Sequence, residues 1–259
     1  MPLDIMIQNC RWTSMWNKRA RFNQIKQKII EKKPDIVCLQ ELVFSFDRRF
    51  FQLEGYYQIS APANLKNRGG LLTLVKSSVG ECHYRNYAKQ GRILSIQVFE
   101  RFLGKGFLAT YLSDKDLWVV NTHMQAVHKI IEKHDIVQEK QLDELLEFIK
   151  SKNRVILCGD LNFTPFSQNY KKVTQFLTDL SSVDRSTYIK KAQTLDYIMV
   201  RGLGCTINKR DFFYYNESGV RVSDHIGVFV SFDISEESSA NTFEIVEKID
   251  TIGQFANKY

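Results

Sequence analysis

Asn9, Glu41, His123, Asp160, Asn162, Asp196, Asp224 and His225 have types and settings that suit chemistry better than packing. Each stands at the edge of a short apolar run. Asn9 follows IMIQ, Glu41 follows VCLQ, and His123 follows VVNT; Asp160 and Asn162 come after ILCG. Asp196 opens DYIMV, and Asp224 with His225 precedes IGVFV. A buried strand gains nothing from an acid, amide or imidazole at its end, and such groups are costly to desolvate unless paired or bound to a cation. One case means little, because strand ends are often polar. Recurrence with the same residue vocabulary points to one shared pocket.

That vocabulary constrains the reaction. Carboxylate and amide oxygens without cysteine ligands suit a hard cation, Mg²⁺ or Mn²⁺. No serine sits in a G-x-S-x-G elbow, so acyl transfer lacks its nucleophile. Lys105 in LGKGF is bracketed by glycines but lacks the spacing and the Ser or Thr of a nucleotide-cradling loop. His128 and His134 do not share a helical face and read as solvated, as does His83.

The elements that must carry these residues are short. LDIMIQN, DIVCLQE, YYQIS, GGLLTLVK, ILSIQVF, KGFLATYL, LWVVNTH, RVILCGD, LDYIMV and IGVFVSF read as strands. Helices are expected from about Asn17 to Lys32, with Phe22, Ile25 and Ile29 on the buried stripe, and from about Lys133 to Lys150, with Leu142, Leu145, Leu146 and Ile149 inward. A short helix is expected near Gln168 to Leu177, and the segment between LDYIMV and IGVFVSF reads as a connector. Pro34 ends the first helix. Only some strands are separated by helices, which argues for packed sheets with helices outside and against simple alternation.

A length of 259 residues with 44% hydrophobic content suits one sizeable domain, and 25% charged residues exclude bulk disorder. We expect a single catalytic domain over 1–235, followed by a linker and tail over 236–259. The net charge of +7 favours an anionic partner: nucleic acid, phospholipid or a phosphorylated metabolite. The basic face of the first helix (Lys18, Arg19, Arg21, Lys26, Lys28, Lys32, Lys33) reads as solvated. The five cysteines are scattered, and Cys38 and Cys158 lie in apolar runs as small hydrophobes, which suits a reducing compartment. With no signal-like N-terminus and no apolar run of spanning length, a cytoplasmic monomer without a transmembrane segment is expected.

MIQNCRW, VCLQE, VVNTHMQA, ILCGDLN, LDYI and SDH, in this order from Ile5 to about Phe232, resemble the endonuclease/exonuclease/phosphatase superfamily. The resemblance implies an α+β fold: a four-layered α/β/β/α sandwich of two packed mixed β-sheets flanked by helices, DNase I-like. It implies Glu41 as the main metal ligand, with Asn9 beside it and Asp224 supporting the metal region. Asp160 would orient and deprotonate the attacking water, Asn162 would hold phosphoryl oxygens, and His123 would bind one. His225 would contact the phosphate, oriented by Asp196; the motif leaves open whether His225 or Asp160 takes the proton. The implied activity is a Mg²⁺-dependent phosphodiesterase. Removing Asp160 or His225 should then cost on the order of 10²-fold or more.

Local features look most like the neutral sphingomyelinase branch: Asn9-Cys10 followed by Trp12, GGLLTLVK after Arg68, LGKGFL around Lys105, and NTHMQA. They imply Arg68 and Lys105 as substrate-binding residues and a lipid headgroup as substrate. Nuclease branches commonly carry an acid or amide where Arg11 stands. Phe44, Phe46, Phe50 and Phe51 around Arg48 and Arg49, and Phe99, Phe102 and Phe107 near Lys105, suit a membrane surface. They suit stacking on a nucleic-acid strand equally, and core packing accounts for many of them. A nuclease or DNA-end-processing phosphodiesterase is therefore the alternative. A binding module without turnover is a third reading, disfavoured because every patterned residue is present.

Overall fold

The computed structural model describes residues 2–12, 17–62, 70–91, 104–126, 136–181, 184–213 and 222–235. In chain order they form β1 (Leu3–Asn9), α1 (Lys18–Lys32), β2 (Ile36–Gln40), α2 (Ser45–Phe50), β3 (Tyr57–Ser60), β4 (Leu72–Val75) and β5 (Val79–Asn86). There follow β6 (Gly106–Leu112), β7 (Leu117–His123), α3 (Ile136–Lys150), β8 (Val155–Asp160), α4 (Gln168–Val173) and β9 (Thr178–Asp179). A 3₁₀ turn (Ile189–Lys191), β10 (Asp196–Arg201), β11 (Gly204–Phe213) and β12 (Gly227–Ser235) complete the described chain.

The strands make two six-stranded sheets, ordered β11-β12-β1-β2-β4-β3 and β5-β6-β7-β8-β10-β9. Both are mixed: β1 runs parallel to β2 and antiparallel to β12, while β7 runs parallel to β8 and β8 antiparallel to β10. Side chains alternate across a strand, so each central strand serves two cores. Ile5 and Ile7 of β1, Ile36 and Cys38 of β2, Val119 of β7, Ile156 and Cys158 of β8, and Ile198 of β10 meet between the sheets. The opposite parity faces the helices. Met6, Val37 and Leu39 pack under Phe22, Ile25 and Ile29 of α1, and Val120, Leu157 and Met199 pack under Leu142, Leu145 and Ile149 of α3. The result is the expected α/β/β/α sandwich. Each fully buried apolar side chain of α1 contributes roughly 1.5–3 kcal/mol, so α1 is held by packing, not by its lysine-rich sequence. It ends where Lys33 turns left-handed and donates to Ile29 O, just before Pro34.

Several expectations need correction. The presumed connector after LDYIMV contains β11, and VGECHYRN forms β5. Both are edge strands with largely exposed or half-exposed side chains, so neither carries the apolar alternation that marks a strand. The aromatic loop after β2 holds the short helix α2, in which Arg48 is buried and donates to the carbonyls of Leu42 and Ala61. Arg21 is not on a solvated face: it is 5% exposed and donates to the carbonyls of Cys10, Arg11 and Val222. ILSIQVF, His128, His134, Phe99, Phe102 and the tail 236–259 lie outside the described residues. Cys38 and Cys158 are free and buried, as expected. Among the described residues no helix is long and apolar enough to cross a membrane.

Candidate active site

The topology brings the patterned residues to one end of the sandwich. Asn9, His123 and Asp160 are the last residues of β1, β7 and β8, and Glu41 follows β2. Asp196 begins β10, which runs antiparallel to β8, and Asp224–His225 precede β12, which runs antiparallel to β1. Strand parity aims Asn9, His123, Asp160 and Asp196 inward, on the same faces as the residues between the sheets. Register then aligns three of them: His123 is paired with Asp160, and Asp160 with Asp196, across neighbouring strands. They stand in one row, roughly 4.8 Å from strand to strand. One step deeper, Gln40 donates to Asn121 Oδ1 at 2.9 Å, while Asn121 donates to the carbonyls of Leu39 and Leu72. This bonded pair crosses from sheet to sheet and floors the site, with the Asn121 amide fully engaged and Gln40 Oε1 left without a hydrogen-bond partner.

Two glycines allow the close approaches. At Gly159, φ is +135° and an added Cβ would lie 2.0 Å from Thr122 O, so only glycine lets β8 reach Asp160 at this spacing from β7. At Gly70, φ is +63° and a Cβ would lie 3.1 Å from Glu41 Cα. Gly70 O accepts from Leu42 N, which buttresses Glu41 in its own left-handed conformation, φ +63°. Arg11 and Asn162 also have positive φ, 52° and 54°. Non-glycine residues held so at a site indicate backbone fixed by its surroundings.

Asn9 stands between the two central carboxylates: its Nδ2 donates to Glu41 Oε1 at 3.1 Å and to Asp160 Oδ2 at 2.9 Å. Its Oδ1 accepts from Arg11 N, which fixes the orientation of the amide. Asn9 is thus the spacer that sets Glu41 and Asp160 against each other. Trp12 N donates to the other Glu41 oxygen at 2.9 Å. Asn162 N donates to Asp160 Oδ1 at 3.0 Å, and its Nδ2 to Met124 O. Asp160 Oδ2 lies 3.5 Å from His123 Nε2 and 3.7 Å from His225 Nε2. His225 Nδ1 meets Asp196 Oδ2 at 2.8 Å.

Electrostatics differentiate these groups. Burial, then the neighbouring Asp196 charge, pushes the Asp160 carboxyl up to about 7 despite the pull of His225, Lys105 and the Asn9 bond. Burial works against charge on His225, but Asp196 and Asp160 outweigh it and raise the imidazole to about 10. Burial and the Lys105 ammonium hold His123 well below the imidazole range. His225 is therefore a cation and His123 a neutral ring, and Lys105 Nζ lies 2.8 Å from His123 Nε2. Asp160, Asp196 and His225 offer ligand atoms within 4.8 Å of one another. The proton shared by His225 and Asp196 accounts for that cluster. The better fit for a cation is Glu41. Both its oxygens are held by neutral donors, it faces Asp160 across one amide, and oxygen donors of this kind suit a hard divalent ion.

Asp224 lies elsewhere on the rim: its Oδ2 is 3.4 Å from Arg11 Nε and 3.1 Å from Lys190 Nζ. Burial would raise its carboxyl, but His225, Lys190 and Arg11 hold it below the usual range. Lys105 is buried against His123, and Arg68 lies outside the described residues. Three groups escaped the sequence reading. Tyr188 places its ring 4.9 Å from that of His225, Lys190 binds Asp224, and Ser223 Oγ donates to Asn9 O. YIKK at 188–191 offered no signal beyond charge; Ser223, adjoining Asp224–His225 in SDH, was at least within a motif.

Comparison with solved structures gives TDP2 of D. rerio, in complex with a single-strand DNA product, at TM-score 0.71 and 16% identity, covering 90% of this chain and 99% of that one. Sphingomyelinase C of Streptomyces griseocarneus aligns at TM-score 0.67 and 18% identity, over 89% and 99%. The catalytic domain of human Nocturnin, with bound sulfate, aligns at 0.67 and 18%, over 90% and 95%. At these identities the likeness establishes the fold. No curated protein matches the sequence significantly. The model of the endonuclease/exonuclease/phosphatase family matches residues 7–225, a span that contains every motif residue brought together here. The chain therefore belongs to the endonuclease/exonuclease/phosphatase family, whose members are hydrolases acting on phosphoesters.

Proposed function

We propose that this protein is a divalent-cation-dependent phosphodiesterase that hydrolyses its substrate by in-line attack of water. One observation carries the reading: Asp160 Oδ2 is approached by Asn9 Nδ2, His123 Nε2 and His225 Nε2 within 3.7 Å, beside Glu41. Asp160, ionised, accepts the proton of the attacking water. His225 is held as a cation by Asp196, so it cannot take that proton; it donates its Nε2–H to a phosphoryl oxygen, where negative charge grows. Asn162 and the Lys105 ammonium, which donates to neutral His123 Nε2, hold further phosphoryl oxygens, and Asn9 keeps Glu41 and Asp160 in register. A Mg²⁺ or Mn²⁺ ion held by Glu41 would supply Lewis acidity toward the scissile ester.

Two substrate classes follow from different surfaces. A lipid headgroup is favoured by Phe46, 57% exposed and stacked on Phe44 beneath Lys18, and by Phe166, 91% exposed on the loop after Asn162. Apolar rings beside a cation suit a membrane surface. A nucleic-acid strand is favoured by Arg11 and Lys190 beside His225. The deciding assay sets phosphocholine release from sphingomyelin vesicles against cleavage of abasic and single-stranded DNA, both with Mg²⁺ and with His225→Ala as blank. Turnover of neither, nor of any simple phosphodiester, would reject the proposed activity.

A further inference from the structure

Arg11, Asp224 and Lys190 form a charge cluster that the hydrolytic roles above leave unused. One carboxylate oxygen, Asp224 Oδ2, serves two cations, so the cluster carries a net positive charge beside protonated His225. Its position is fixed from both sides. Arg11 N is bonded to Asn9 Oδ1, and buried Arg21 ties the Cys10 and Arg11 carbonyls to Val222 O, two residues before Asp224. The Arg11 Nε atom is buried and makes no hydrogen bond among the described residues, while its side chain is 31% exposed and that of Lys190 is 49%. Surface cations are normally solvated, but here two are gathered on one acid at the mouth of a site for a phosphodiester. Tyr188, two residues from Lys190, lies against the His225 ring and is only partly buried.

We infer that Arg11 and Lys190 bind a second phosphate flanking the scissile one, so that the site selects a nucleic-acid strand over a phosphodiester with a cationic headgroup. The inference rests on the phosphodiesterase reading above and names its substrate class. Guanidinium and ammonium groups both serve phosphate recognition, and a strand supplies a phosphate at every nucleotide. Tyr188 offers a ring face of the kind bases stack on. A trimethylammonium headgroup would meet like charge at the same place, which selects against it.

The test uses thymidine 5′-(4-nitrophenyl phosphate) and its 3′-phosphorylated counterpart, with Mg²⁺, on the whole protein. The wild type should favour the 3′-phosphorylated substrate in kcat/KM by on the order of tenfold, the value of one accessible hydrogen-bonded charge contact. Lys190→Gln and Arg11→Gln should pull that ratio toward one, and Lys190→Arg should restore it. Calorimetric binding of thymidine 3′,5′-bisphosphate against thymidine 5′-monophosphate, with Mg²⁺, reads the same preference without turnover. Equal handling of the two substrates by wild type, or a ratio that survives Lys190→Gln, overturns the inference. Faster turnover of phosphocholine vesicles than of single-stranded DNA also overturns it. A bisphosphate preference in binding that is lost in Lys190→Gln, with no hydrolysis of either ester, would sustain the phosphate-binding cluster and sink the phosphodiesterase reading.

Discussion

Asp196 and His225 are 29 residues apart, yet Asp196 Oδ2 meets His225 Nδ1 at 2.8 Å and the pair is almost wholly buried. Asp196 therefore governs both the charge and the orientation of the imidazole that faces Asp160. Asp196→Asn keeps the shape and removes the charge. Activity should fall on the order of 10²-fold, and the His225 resonance should titrate at lower pH by NMR. An unchanged His225 titration would separate the two residues functionally.

In the metal-free protein Asp160 and His225 should each contribute stability that is lost toward alkaline pH. Asp160 is raised from 3.8 to about 7, so the folded state keeps a proton that the unfolded chain has released. That contribution is complete below about pH 3.8 and is lost as pH rises through about 7. His225 is raised from 6.5 to about 10, so its contribution is complete below about 6.5 and is lost through about 10. Urea unfolding in chelator across this range checks the two contributions. Asp160→Asn should flatten the acid one and, by removing one of the charges that raise His225, shrink the alkaline one. His123, held well below 6.5, works in the opposite sense up to about pH 6.5. The comparison with the variant therefore decides: equal slopes in wild type and Asp160→Asn between about pH 5 and 7 would contradict the Asp160 assignment.

Glu41→Gln should leave the fold intact and weaken Mg²⁺. The amide still occupies the place between Asn9 and Trp12 but no longer brings a negative charge to the ion. Half-saturating Mg²⁺ should rise at least roughly tenfold, the low end of what even outer-shell partners cost. Chelation should abolish wild-type turnover. Activity indifferent to chelator would exclude the cation.

Gly159→Ala should damage the sandwich as well as the site. The new methyl would lie 2.0 Å from Thr122 O at a φ of +135°, and both neighbours are central strands. A cost of at least about 1–3 kcal/mol is expected from overpacking alone, read as a fall of several degrees in Tm. A wild-type Tm would mean that β7 and β8 are free to separate at this point.

Arg11 and Lys190 bear on salt as well. If they carry strand phosphates, DNA binding should weaken steeply with salt, and each substitution should reduce the slope by roughly one unit. Slopes identical in wild type and variants would place the phosphate contacts elsewhere.

Much of this was legible in the sequence because burial writes itself into strands with period two. ILCGD and VVNTH announce apolar runs that end in polar groups, and parity alone puts Asp160 and His123 on the face of Cys158 and Asn121. The ordered motifs likewise announced the two-sheet sandwich. What the chain could not disclose locally was decided by contacts distant in sequence. Register places His123, Asp160 and Asp196 in one row, and loop closure sets Lys190 on Asp224 and Tyr188 on His225. The strands β5 and β11 left no signature because an edge strand has little buried face to record, and Arg21 looked solvated until the carbonyls of Cys10, Arg11 and Val222 closed around it. A sequence records each residue's own burial; which distant charges meet is fixed only when the sheets pack.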